Sequence, residues 1–205
     1  MNNYSTNKRW LPVILTTSFL FIAVPINAGA PSDQTRATIE KVLAILAESN
    51  KKSDRVDRLR QTIKPSFDFA EMAKRSLGSH WQPRTPTEQQ EFVKLFTDLV
   101  ESSYVDAIES YNGEKVVVAN EKQDKDFAEV NTKIVTKKGE EFVIDYKLHQ
   151  TSGGWKIYDA VIENVSLVNN YRSQFNRVIA KSSYQDLVSK MKDKQFEAPG
   201  KKAKT

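Results

Sequence analysis

The stretch Trp155–Phe175, WKIYDAVIENVSLVNNYRSQF, decides how the rest of the chain can be arranged. Its first part alternates: Trp155, Ile157 and Val161 project to one side of an extended chain, and Tyr158, Ala160 and Ile162 to the other. Beyond Ser166, which stands where an N-cap belongs, the period lengthens. Leu167, Tyr171, Phe175, Val178 and Ile179 recur at helical spacing. The pattern predicts a strand that hands over to a helix without a linker. A helix folding back over its own sheet makes a wedge, and wedges of this kind enclose pockets.

Upstream of Trp155 the period of two continues. It predicts strands over Lys115–Asn120, Phe127–Thr136, Glu141–Gln150 and Trp155–Glu163, an antiparallel meander with turns at Lys138-Gly139 and Ser152-Gly153. Turn length sets the register, because a slip of one residue moves every side chain to the wrong face. A three-residue loop of Lys137, Lys138 and Gly139, with the glycine left-handed, pairs Ile134 with Phe142 and Val130 with Tyr146. A two-residue turn at Ser152-Gly153 sets Leu148 opposite Ile157, Tyr146 opposite Asp159 and Ile144 opposite Val161. One face of the sheet is then apolar, with Val130, Ile134, Phe142, Ile144, Tyr146, Leu148, Ile157 and Val161, and the other is wet. All helices must pack on the apolar side.

Those helices are legible in the first half of the chain. Ile39, Val42, Leu43 and Leu46, then Val56, Leu59 and Ile63, give a helical hairpin within 32–63. Asp68 with Glu71 opens a third helix, with Phe69, Met72 and Ala73 inside and Gly78 at its end. Thr85-Pro86-Thr87-Glu88 opens a long fourth helix, whose stripe of Phe92, Leu95, Phe96, Leu99, Val100, Tyr104, Ala107, Ile108 and Tyr111 runs to Gly113. A last amphipathic helix around Tyr184, Leu187, Val188 and Met191 completes the cover. The fold class is α+β: a four-stranded antiparallel meander with helices on one face around an apolar pocket, NTF2-like in general shape.

The 205 residues suffice for one domain plus a targeting segment. Residues 1–28 have the form of a secretory signal, with Lys8 and Arg9 before an apolar run from Trp10 to Ile26. Cleavage is expected after Ala28; Ala30 also fits the small-residue rule but would leave Pro31 at the new N-terminus. An uncleaved membrane anchor is the alternative, weakened by Pro12 and Pro25 and by the shortness of the run. The domain spans 32–197, and the basic stretch 198–205 is expected to be a disordered tail. The absence of cysteine excludes disulfides, thiolate nucleophiles and zinc–thiolate sites. The net charge of +5 comes from basic residues interspersed with acidic ones, with Lys8, Arg9 and three tail lysines among them, so no nucleic-acid partner is expected.

Catalytic signatures are missing: there is no phosphate-cradling glycine loop, nucleophile elbow or metal-ligand cluster. The register places Asp159 beside Tyr146, which admits two readings. One is a small pocket enzyme in which this pair transfers a proton on an apolar substrate; the other is a structural hydrogen bond, or an acceptor for the amides that open the helix after Ser166. His149 falls on the wet face. Asn164-Val165-Ser166 matches a glycosylation sequon only weakly. A third possibility is an interaction module whose wedge is fully packed.

The segment Phe67–Tyr111, together with Tyr158-Asp159, Val165-Ser166 and Tyr171-Arg172, resembles the periplasmic phospholipid-binding proteins of the MlaC, or toluene-tolerance, type over roughly 32–197. Leu77-Gly78, Trp81, Phe92, Tyr104 and the Asp-then-Val-Ser run carry the likeness. Asn164 departs from the glycine usual in the family, at a position expected to need a left-handed backbone that asparagine tolerates. The resemblance implies a monomeric periplasmic carrier without cofactor. It would move glycerophospholipid between an outer-membrane lipoprotein–porin complex and an inner-membrane ABC transporter with an MCE-domain subunit, maintaining outer-membrane lipid asymmetry. A pocket between sheet and helices follows from it. Facing then nominates Phe69, Met72, Phe96, Leu99, Val130, Ile144, Tyr146, Leu148, Ile157, Val161, Val165 and Tyr171 for the acyl chains. Backbone amides near Val165 and Ser166, with Arg172, are nominated for the mouth.

Overall fold

The computed structural model describes residues 30–48, 52–109 and 113–197. The expected signal segment, Tyr111 and the basic tail lie outside these. Helices α1 (Pro31–Ala47), α2 (Lys52–Ile63), α3 (Phe69–Leu77) and α4 (Pro86–Glu109) precede strands β1 (Lys115–Asp124), β2 (Phe127–Val135), β3 (Glu141–Thr151), β4 (Gly154–Ile162) and β5 (Val165–Ser166). Helices α5 (Leu167–Lys181) and α6 (Tyr184–Lys192) follow. The helix starts are built as their sequences dictate. Thr85 and Glu88 form a reciprocal capping box, and Asp68, Ser166 and Ser183 each accept the amide three residues on, at 2.9, 3.0 and 3.1 Å.

The sheet is an open antiparallel meander in the order β1-β2-β3-β4-β5. It has five strands, not four. The chain does not pass directly from β4 into α5: Glu163 and Asn164, both at positive φ (47° and 65°), form a two-residue hairpin turn, and β5 pairs back along the end of β4. Two successive left-handed residues are what a type I′ turn requires, and Asn164 supplies one of them without glycine. The β2–β3 hairpin has the expected three-residue loop with Gly139 at φ 81°, pairing Val130 with Tyr146 and Ile134 with Phe142.

The β3–β4 register starts as the turn demands, with Leu148 opposite Ile157, and then changes. Tyr158 has no partner in the ladder, so Lys147 faces Asp159, Tyr146 faces Ala160 and Ile144 faces Ile162. This bulge reverses the faces of β4 halfway along. Trp155 and Ile157 are followed on the apolar side by Ala160 and Ile162, while Asp159 and Val161 turn to the opposite side. The expected pairings of Tyr146 with Asp159 and Ile144 with Val161 are therefore replaced. The residue pattern carries the reason, since the alternative would put a carboxylate among hydrocarbon side chains.

Asp159, only 6% exposed, is instead built into the start of α5. It accepts from the Ser166 hydroxyl at 2.7 Å and from the Val168 amide at 3.1 Å. The free edge of β4 is covered along its length. Phe67 pairs with Ile157 in parallel, the Asp68 amide donates to the Ile157 carbonyl at 2.8 Å, and β5 covers the rest.

Two apolar clusters result. The larger is helical: Met72, Leu77, Phe92, Phe96, Leu99, Tyr171, Phe175 and Leu187 are among its buried members, contributed by α3, α4, α5 and α6. Its aromatic rings meet edge-on and stacked, with Phe96 to Tyr171 and Phe92 to Phe175 at centroid separations of 5.6 and 5.7 Å. The smaller belongs to the sheet, with Ala128, Val130, Leu148, Trp155 and Ile157. Helix α1 lies over β1 and β2, whereas α3 and α5 meet the sheet at β4. The outer face of the sheet is not wholly wet: His149 contacts Asp68 at 3.0 Å and the Tyr158 ring, over which Arg75 stacks.

Replacing Asp159 with alanine removes the acceptor for the α5 amide and is expected to lower unfolding stability by about 2–4 kcal/mol. Asparagine, which keeps an acceptor, should cost less. Urea unfolding of both variants checks this, and equal losses would contradict it.

Candidate functional site

Protein side chains leave a gap beneath α1 and α2. A cavity of about 440 Å³ lies between α1 and the apolar face of the sheet. Its wall comprises Ile39, Val42, Leu43 and Leu46 of α1, with Val116, Ile134, Phe142, Ile144, Tyr146, Leu148, Trp155, Ile157 and Ile162 of the strands. A second cavity of about 180 Å³ lies beneath α2 and α4, walled by Leu59, Phe69, Val100, Ala160 and Leu167 among others. The two share Ile63, Phe67, Tyr104, Ile108, Ile144, Tyr146 and Ile162, so they are adjacent lobes with one common wall. The larger lobe alone is within the range of about 300–1,000 Å³ usual for small-molecule sites.

The bulge in β4 makes this wall possible, since it brings Ala160 and Ile162 round to the lobes. The polar groups of the larger lobe are mostly spent on structure. Gln34 donates to the Trp155 carbonyl and accepts its amide, at 2.7 and 3.1 Å, clasping α1 to the start of β4. Thr35 bonds the Pro31 carbonyl, and Thr38 meets Ser66 at 3.0 Å. Glu114, Thr136 and the 44% exposed Phe142 line another part of that wall. The smaller lobe carries a charged rim, Arg60, Lys64 and Glu101, in which Lys64 lies 3.5 Å from Glu101.

Of the residues nominated from sequence, Phe69, Ile144, Tyr146, Leu148 and Ile157 line the lobes. The others are placed elsewhere. Met72, Phe96, Leu99 and Tyr171 belong to the helical core, and Val130 to the sheet core. Val161 pairs opposite Asp145 on the far side of the bulge. Val165 is exposed in β5, and Ser166 is held by Asp159. Arg172 lies across Gly78 and donates to the Arg75 carbonyl at 2.8 Å, capping the end of α3 instead of flanking a mouth. The α1 residues were legible as an amphipathic stripe, but nothing local says that the stripe lines a cavity.

The proposed acid–base pair is not assembled, because Tyr146 faces the lobes and Asp159 faces α5. Burial pushes the Tyr146 phenol up to about 12, which makes it a poor proton-transfer group near neutrality. Burial and then the neighbouring Tyr171 push Tyr104 higher still. Among the described residues no cluster of His, Asp and Glu could hold a metal ion, and no helix is long and apolar enough to cross a membrane.

Against known proteins, the family model described as "MlaC protein" matches residues 36–193. The chain belongs to the MlaC family. Two curated relatives agree. The Intermembrane phospholipid transport system binding protein MlaC of Haemophilus influenzae is 24% identical over 196 residues, 90% of this chain and 92% of the relative. The Toluene tolerance protein ttg2D of Pseudomonas putida is 24% identical over 176 residues, 82% of this chain and 80% of the relative. Among solved structures, a phospholipid-binding protein from Ralstonia solanacearum, in complex with a phospholipid, superposes with a TM-score of 0.74 at 25% identity, covering 81% of this chain and 97% of that one. The MlaC fold thus accounts for the sheet and its helical cover together.

The tyrosines give a pH signature. Tyr146 and Tyr184, both raised from 10.0 to about 12, stay neutral in the folded chain while their unfolded counterparts ionise. Their stabilising effect is complete below pH 10 and is lost as pH rises towards 12. Denaturant unfolding between these limits is expected to show falling stability, with a shallower fall in Tyr146→Phe; an unchanged slope would contradict the burial of this phenol.

Proposed function

We propose that the protein is a periplasmic carrier of glycerophospholipid, whose acyl chains occupy the two lobes while the charged head stays in water. The observation that carries this reading is the pair of apolar lobes joined along one wall, in a family whose relatives are named for phospholipid transport and binding. Two chains with ~30 methylenes, at ~0.8 kcal/mol each, would cost on the order of 24 kcal/mol to expose, so a carrier must shield both. A head group, by contrast, keeps its hydration by remaining outside.

In this reading residues 1–28 are an export signal, and the domain works as a monomer. It shuttles lipid between an outer-membrane lipoprotein–porin complex and an inner-membrane ABC transporter with an MCE-domain subunit, contributing to outer-membrane lipid asymmetry. The energy comes from the transporter. The acyl chains contact Phe69, Ile144, Tyr146, Leu148 and Ile157, together with the α1 stripe and Phe67.

Extraction and mass analysis of the purified protein should return phospholipid, and well-folded protein that repeatedly returned none would end the proposal. Ile144→Trp, which fills the wall shared by both lobes, is the matching variant. Excluding two methylenes, at ~0.8 kcal/mol each, should lower lipid retention about tenfold. Thermal stability should hold or rise, whereas a packed core at this position would lose about 1–3 kcal/mol from overpacking.

A further inference from the structure

The wall shared by the two lobes carries a phenol that makes no hydrogen bond within the protein. Among the described residues the Tyr146 hydroxyl has no hydrogen-bond partner, although the ring lies in the wall common to both lobes. Its cross-strand neighbours are Val130 and Ala160, which offer it nothing. Tyr104, the other phenol of the shared wall, is already engaged, and the remaining shared residues are hydrocarbon. Tyr146 is only half-buried, so its hydroxyl is open to whatever occupies the cavity, and phenylalanine would line the same wall without offering a donor.

A diacyl glycerolipid has the complementary defect. Its two chains part at the glycerol, and each begins with an ester carbonyl, an acceptor that loses its water when the chain enters an apolar cavity. When one chain enters each lobe, the branch of the lipid comes to the wall the lobes share, and its carbonyls arrive where the spare donor is. We propose that the Tyr146 hydroxyl donates a hydrogen bond to an ester carbonyl of the bound lipid, marking the common wall as the site for the glycerol ester region. This rests on the carrier reading above and adds a chemical preference to it: ester-linked over ether-linked lipid. The enclosure that keeps the Tyr146 phenol neutral also keeps its proton available for donation.

The test uses vesicles of dioleoyl phosphatidylglycerol and of its diether analogue with the same chains. Full-length wild type and Tyr146→Phe are each loaded from equimolar mixtures, and the bound ratio is read by native mass spectrometry. The ester-to-ether ratio of wild type should exceed that of the variant about fivefold, the worth of one hydrogen bond to a neutral acceptor. The lipid-free variant should melt no lower than wild type, since it loses only an unpartnered hydroxyl. Equal ratios in the two proteins overturn the proposal and leave the carrier reading standing. Wild type that takes up neither lipid overturns both.

Discussion

A carboxylate cannot stand unpaired in a hydrocarbon-lined space, and Asp159 lies in the middle of a strand that lines one. The bulge at Tyr158 resolves this by reversing the faces of β4 between Ile157 and Ala160. One consequence is anchoring, because Asp159 now meets the first turn of α5 and satisfies an orphan amide there. The other is enclosure, because Ala160 and Ile162 complete the wall of the lobes. A single extra residue thus serves the helical core on one side of the strand and the cavity on the other.

The division into two apolar clusters follows from that arrangement. Side chains that line a cavity make fewer contacts with the rest of the protein than those of a packed interior. The compensation lies in α3, α4, α5 and α6, where Phe92, Phe96, Tyr171 and Phe175 are fully buried against one another. Helices α1 and α2, by contrast, present much of their apolar surface to the cavity. They are held by clasps: Gln34 on Trp155, the Ser32 amide on Glu121, and Arg60 with Lys64 around Glu101. Partly exposed ion pairs of this kind contribute little each, so the cover is bound less firmly than the core behind it.

Much of this was legible locally. The capping residues at Asp68, Thr85 and Ser166 announce their helices, because a cap acts within one turn. The loop before Gly139 places Val130 against Tyr146, because hairpin geometry is set by a few residues. The bulge was not legible, because strict alternation sets Val161 with Ile157 and hides the apolar spacing of Trp155, Ile157, Ala160 and Ile162. The short strand β5 was not visible, since two residues carry no periodicity, although the left-handed backbone expected at Asn164 is present at φ 65°.

What the sequence by itself determined is the helices and the four long strands, their order, the antiparallel pairing and the family, because caps, turn residues and periodicity act over a few positions. Only the tertiary structure decided which apolar stripes meet each other and which line a cavity. Leu99 and Leu43 are equally hydrophobic in a helical pattern, yet one is packed in the helical core and the other lines the larger lobe. The physical reason is that a side chain's pattern records only that it avoids water. Whether protein or a cavity receives it depends on the distance between elements, which is set by contacts far apart in the chain.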